Sequence, residues 1–81
     1  MKIEVKLFAV ASQFAGLAVA AVDLRSPATV ADLRRELLLQ YPQLAPLGDY
    51  LRFAVDQEYV TDSAEVNATQ EIAAIPPVSG G

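Results

Sequence analysis

Thr29-Val30-Ala31-Asp32-Leu33-Arg34-Arg35-Glu36-Leu37-Leu38-Leu39-Gln40-Tyr41-Pro42 is the stretch on which the fold turns. Thr29 has the side chain of a helix N-cap, and Asp32 stands three residues on, in the capping-box position. Val30, Leu33, Leu37, Leu38 and Tyr41 then recur at helical spacing, which lays one apolar stripe along roughly three turns. Pro42 ends the helix, because its ring clashes with the preceding turn. No other segment reads as a helix. One helix must therefore cover one face of whatever sheet the remaining residues build.

Upstream, residues 2–8 alternate. Ile3, Val5 and Leu7 take one face, while Lys2, Glu4 and Lys6 take the other, so this is a half-buried strand. Phe8 falls in phase with the lysines and should point away from the core. Ser12 to Gly16 reads as a connection, and Leu17 to Arg25 as a second strand, antiparallel to the first. Ser26-Pro27-Ala28 breaks that strand before the helix. Downstream, residues 43–49 read as a loop containing Pro46 and Gly48. Leu51, Phe53 and Val55 alternate with Arg52 and Ala54 as a third strand. Asp56-Gln57 is a tight turn, from which Tyr59 and Val60 return as a short strand. Asp62 to Thr69 is polar and irregular. Glu71 to Ile75 is the last strand, stopped by Pro76-Pro77. The order β, β, α, β, β, β predicts an α+β roll with a mixed sheet of four or five strands and one main helix across one face. The division expected is a domain over residues 1–76 and an extended tail over 77–81.

Composition narrows the function. The chain has 81 residues, 53% of them hydrophobic and 20% charged, which fits one small globular domain. It contains no Cys and no His, so thiol nucleophiles, disulfides and thiolate metal sites are excluded, and the commonest general base is missing. No paired Asp/Glu spacing marks an acid–base dyad. The net charge of −4 argues against nucleic acid as a partner. Residues 1–52 hold all six bases against five acids, whereas residues 53–81 hold five acids and no base. A partner that receives the C-terminal end is therefore expected to be basic there. The longest apolar run, Phe14 to Val22, is too short to span a bilayer, and Glu4 spoils the basic start of a signal peptide. The expected location is the cytoplasm, with no membrane association.

The end of the chain reads Ile75-Pro76-Pro77-Val78-Ser79-Gly80-Gly81, and two of the four glycines are its last two residues. The prolines fix φ and offer no N–H, so the tail leaves the sheet extended. Fully stretched, residues 77–81 reach ~17 Å. Two side-chain-free residues can enter a channel too narrow for any other pair. The carboxyl carbon of Gly81 is sterically open. Joined to AMP it becomes a mixed anhydride, which a sulfur nucleophile can attack to leave a thiocarboxylate. That chemistry needs no Cys or His in the carrier.

These residues also carry a likeness. Leu7-Phe8-Ala9, Gly16, Thr29-Val30 with Leu33-Arg34, Phe53-Ala54-Val55-Asp56-Gln57 and above all Pro76-Pro77-Val78-Ser79-Gly80-Gly81 resemble the MoaD family of ubiquitin-like β-grasp proteins, the small subunits of molybdopterin synthase. The resemblance implies that an E1-like enzyme adenylates Gly81 with ATP and that a sulfurtransferase or cysteine desulfurase system makes the thiocarboxylate. It implies that Pro77, Val78, Ser79, Gly80 and Gly81 insert into the large synthase subunit. Sulfur then passes to cyclic pyranopterin monophosphate, on the way to molybdenum cofactor, within a heterotetramer of two small and two large subunits. The chain would be a sulfur-donor subunit without catalytic side chains, permanently bound cofactor or metal. Phase and likeness together nominate Phe8, Tyr59 and Ile75 for the outer sheet face and the partner interface. Three departures stand out: Ser12-Gln13 where the family often has Arg-Glu, Asn67-Ala68-Thr69-Gln70-Glu71 in place of its Asp-Gly-Asp-Glu turn, and Asp56 for a common Asn. The residues leave open a carrier for thiamine or tRNA thiolation, an interaction module with an inert Gly-Gly, and a small-molecule enzyme acting alone.

Overall fold

The computed structural model describes residues 1–77. Five strands form one mixed sheet: β1 (Lys2–Leu7), β2 (Val19–Asp23), β4 (Arg52–Val55), β5 (Glu58–Val60) and β7 (Ile72–Ile75). Their order across the sheet is β2-β1-β7-β4-β5. The last strand is thus the central one, parallel to β1 and antiparallel to β4. The main helix α2 (Val30–Gln40) supplies Val30, Leu33 and Leu37 to a core shared with Ile3, Val5, Phe53 and Ile72. Leu38 and Tyr41 complete the expected stripe at the core margin.

The helix starts as the sequence requires. The Asp32 N–H donates to Thr29 Oγ1, and the Thr29 N–H donates back to Asp32 Oδ2 at 2.9 Å. Just before the helix, β3 (Ala28–Thr29) pairs with β6 (Glu65–Val66) in a two-stranded ladder. The segment expected to be irregular over 62–69 therefore contains a strand, too short to show a period. Its remaining turn is closed locally, where Gln70 Oε1 accepts from the Asn67 N–H and Asn67 Oδ1 accepts from the Thr69 N–H.

Two more expectations need correction. The connection expected over Ser12–Gly16 belongs to a short helix, α1 (Val10–Ala15), closed by Gly16 in the left-handed region at φ 72°. Ala9, at φ 52°, turns the chain from β1 into that helix. As a result the second strand is shorter than Leu17–Arg25. The loop expected over 43–49 is a 3-10 helix, Pro42–Tyr50, packed close under α2. A Cβ on Gly48 would lie 2.5 Å from Leu38 Cδ1, so a larger residue there would require the Leu38 side chain to shift. By contrast Asp56-Gln57 is the expected tight turn, with both residues at positive φ as a two-residue hairpin demands.

Arg34 ties these pieces together. Its guanidinium donates to the carbonyls of Gly48 and Leu51 and to Asp62 Oδ1, and it lies 5.0 Å from the Phe53 ring centroid. One side chain thus joins α2, the 3-10 helix and the chain beyond β5. The β2 edge is closed in another way. The Tyr41 hydroxyl both donates to and accepts from the Ala21 backbone, and the Gln40 amide does the same for Asp23. These side chains stand where a further strand would pair, which blocks edge-to-edge association.

The cap and the core each set a measurable stability. Hydrogen bonds from the Thr29 backbone and hydroxyl, with Arg35 nearby, outweigh slight desolvation and lower the Asp32 pKa below its ordinary value. A carboxyl that is more acidic when folded stabilises above its unfolded pKa, and that contribution disappears as pH falls through the folded value. Thr29→Ala should cost about 1 kcal/mol in urea denaturation at neutral pH, and Asp32→Asn should flatten the acid-side loss of stability. In the same assay Phe53→Ala should cost about 3–5 kcal/mol, while Phe8→Ala stays within about 0.5 kcal/mol.

Candidate docking face and tail root

The sheet has an inner face under α2 and an outer face that α2 leaves uncovered. Strand register assigns the outer residues. Val19 pairs with Lys6, Lys6 with Ala73, Ala73 with Ala54, and Ala54 with Tyr59, so one row crosses all five strands. The next row, nearer the tail, holds Ile75 opposite Arg52. Phe8 joins it from β1, its N–H donating to the Ala74 carbonyl at 3.2 Å. Leu17 lies beside Phe8, since the Leu7 N–H bonds to the Ala18 carbonyl at the head of β2. Away from the tail the face changes character, with Lys2, Glu4 and Asp23 exposed.

The structure brings together all three residues expected at the interface. Phe8, Tyr59 and Ile75 line one shallow concavity of about 220 Å³ with Ala54, Ala73, Gln57 and Glu71. Phe8 is 47% exposed and Tyr59 57%, large fractions for aromatic side chains, and Ile75 is partly exposed. Tyr59 does not tuck under a loop. The Arg52 guanidinium lies over its ring, 4.3 Å from the centroid. Ala54 is buried although it belongs to the outer phase, because it forms the floor of the concavity.

Sequence reasoning missed Leu17 and Val19, which are 43% and 44% exposed and carry the apolar surface to the β2 edge. It also left out Arg52. The signal for Arg52 was present, since it is the polar partner in the Leu51–Val55 alternation and its phase matches that of Ile75.

The two cations of these rows differ. Lys6 pairs with Glu71 at 3.3 Å across two half-exposed side chains. Arg52 forms no ion pair among the described residues. A larger concavity, about 570 Å³, lies at the start of α2 with Asp23, Arg25, Asp32, Arg35 and Glu36 on its walls. Its Arg35 is already bound to Asp32 and Glu36, and it is remote from the tail-bearing strand in the register.

The tail grows directly out of β7. Pro76 is still buried against the domain and Pro77 is exposed. The remaining residues expected to enter a partner, Val78, Ser79, Gly80 and Gly81, lie outside the described residues. Among the described residues no group of three His, Cys, Asp or Glu could hold a metal. No buried side-chain polar atom there lacks a hydrogen-bond partner, and no helix is long and apolar enough to cross a membrane. The arrangement can bind through an apolar face, with Pro76-Pro77 leaving β7 beside it.

The sequence matches the model of the ThiS family over residues 5–81. It is 37% identical over 81 residues to the molybdopterin synthase sulfur carrier subunit of Arabidopsis thaliana, spanning 100% of this chain and 84% of that one. It is 32% identical over 83 residues to the subunit of the same name from Homo sapiens, spanning 99% and 94%. Among solved structures it is similar to SAMP1 from Haloferax volcanii, with a TM-score of 0.86, 31% identity and 100% of each chain covered. The resemblance seen in the residues and the β-grasp topology seen in the sheet agree with these matches: the chain belongs to the ThiS family of ubiquitin-like β-grasp sulfur carriers, on the molybdopterin synthase sulfur carrier side of it.

Proposed function

We propose that this chain is the sulfur-carrying subunit of a cytoplasmic molybdopterin synthase and that its reactive group is the Gly81 carboxyl. The observation that carries the reading is the placement of β7. The strand that leads into Pro76-Pro77 is the central one, and it leaves the sheet beside the apolar rows of Phe8, Ile75 and Tyr59. A partner held on those rows is positioned to receive the residues beyond Pro77. The family match, which extends to Gly81, supports the same reading.

The chemistry balances with no side chain of this subunit. A Gly81 carboxylate oxygen attacks the α-phosphorus of ATP in the E1-like enzyme, and pyrophosphate leaves. The outer sulfur of a persulfide on a sulfurtransferase or cysteine desulfurase attacks the acyl carbon, and AMP leaves. A thiol of the donor system then attacks the donor's sulfur in the resulting acyl disulfide, forming a disulfide with it and releasing the Gly81 thiocarboxylate. The thiocarboxylate sulfur then attacks an oxygen-bearing side-chain carbon of cyclic pyranopterin monophosphate in the large subunit, and the C–O bond at that carbon breaks as the oxygen leaves. Water cleaves the acyl–sulfur bond and restores the carboxylate. Acid–base groups for these steps come from the partners, in an assembly of two small and two large subunits.

The likeness to SAMP1, a small archaeal modifier protein, favours a second use of the same terminus. An amine attacking the acyl adenylate would give an amide-linked modifier. The two uses differ in product, a free thiocarboxylate against a branched conjugate.

Both require a free terminus. A chain extended by one residue past Gly81, or lacking Gly81, should lose sulfur transfer to the pyranopterin by about 1,000-fold or more, as expected when the reacting atom itself is displaced, with its urea midpoint unchanged. Transfer by the extended chain at the wild-type rate would contradict the proposal.

A further inference from the structure

Arg52 has a feature that the carrier chemistry does not use. It stands on the outer face in the row next to the tail, opposite Ile75, with one face of its guanidinium laid on Tyr59. Stacking on an aromatic ring orients a guanidinium and removes part of its hydration, while its in-plane N–H donors stay available. The other cation of the apolar rows, Lys6, already has Glu71 as its counter-charge. Arg34, the other stacked arginine, spends its donors on Gly48, Leu51 and Asp62. Arg52 has no such partner among the described residues.

A protein that covers Phe8, Ile75 and Tyr59 also covers Arg52. Burying a charge without a counter-charge is costly, enough to cancel much of the gain from the apolar contact. We propose that Arg52, held by Tyr59, is the anchor at which this face receives an aspartate or glutamate of the synthase large subunit. The inference rests on the functional reading above for the identity of that partner. It also refines the charge expectation drawn from the sequence. The acidic C-terminal third favours a basic partner rim, but beside the tail root the complementary group is a carboxylate. A planar guanidinium takes a carboxylate through two parallel hydrogen bonds, so this contact fixes the orientation of docking as well as contributing affinity. Tyr59 is a positioning residue in this pair.

The test is titration calorimetry of the full chain against the large subunit of the same organism, with the thermal midpoint of each variant as a control on folding. Wild type should bind. Arg52→Gln should weaken binding by about thirtyfold, the low end for a buried charge pair that loses one member. Arg52→Lys should fall between the two, since it keeps the charge and loses the plane. Arg52→Glu should weaken binding further, and replacing one acidic residue of the large subunit by arginine should restore it. Binding of Arg52→Gln and Arg52→Glu within about twofold of wild type, below the range of such pairs, would overturn the proposal and leave the functional reading intact. So would rescue by none of the large subunit's acidic positions. Failure of the wild-type chain to bind the large subunit at all would overturn both.

Discussion

The strand Ile72–Ile75 is gripped on both sides, by β1 in parallel and by β4 in antiparallel register, and the rest of the molecule depends on that double pairing. Ile72 and Ala74 point into the core with Leu33 and Leu37 of α2. Ala73 and Ile75 point the other way. A strand fixed along both edges and anchored through one face cannot slip by a residue without turning its apolar set outward. Pro76 and Pro77, the last described residues, are therefore held at a defined place beside the outer face.

The two faces of the sheet divide the work. The inner face is closed by α2, whose N-terminus is set by the Thr29–Asp32 box and whose far end covers the β2 edge through Gln40 and Tyr41. That face is thereby spent on the core. The outer face is divided along its length, with charged residues at the far end and an apolar band nearest the tail. That band spans five strands and carries two cations, Lys6 and Arg52, of which Lys6 is already paired with Glu71. Apolar surface concentrated around an aromatic–arginine pair is the composition that interfaces favour. Under the proposed function, sulfur transfer becomes a problem of docking geometry, in which the chain supplies position and its partners supply reactivity.

Much of this was legible in the sequence because the patterns were long enough to show a period. The Lys2–Leu7 alternation, the capped helix and the Phe53–Val60 hairpin each extend over several repeats, and the phase of Phe8 and Ile75 follows from their neighbours. The elements that escaped did so for a physical reason in each case. Helix α1 has six residues, and its N-cap position is Ala9 rather than a polar side chain, so no start signal marks it. The β3–β6 ladder is two residues long on each side. The stretch Leu17–Val22 is apolar at every position, so the outward Leu17 and Val19 cannot be told from the inward Ala20 and Val22 until register is known. The central place of β7 depends on a long-range parallel pairing with β1, which leaves no trace in local spacing.

The main-chain carboxyl of Gly81 is the proposed site of reactivity, and intact-mass spectrometry tests it directly. The purified chain is incubated with ATP, an E1-like activating enzyme and a sulfur donor, then fragmented. One oxygen-to-sulfur exchange confined to the C-terminal glycine is the predicted result. An unchanged mass, or sulfur found on any other residue, would contradict it.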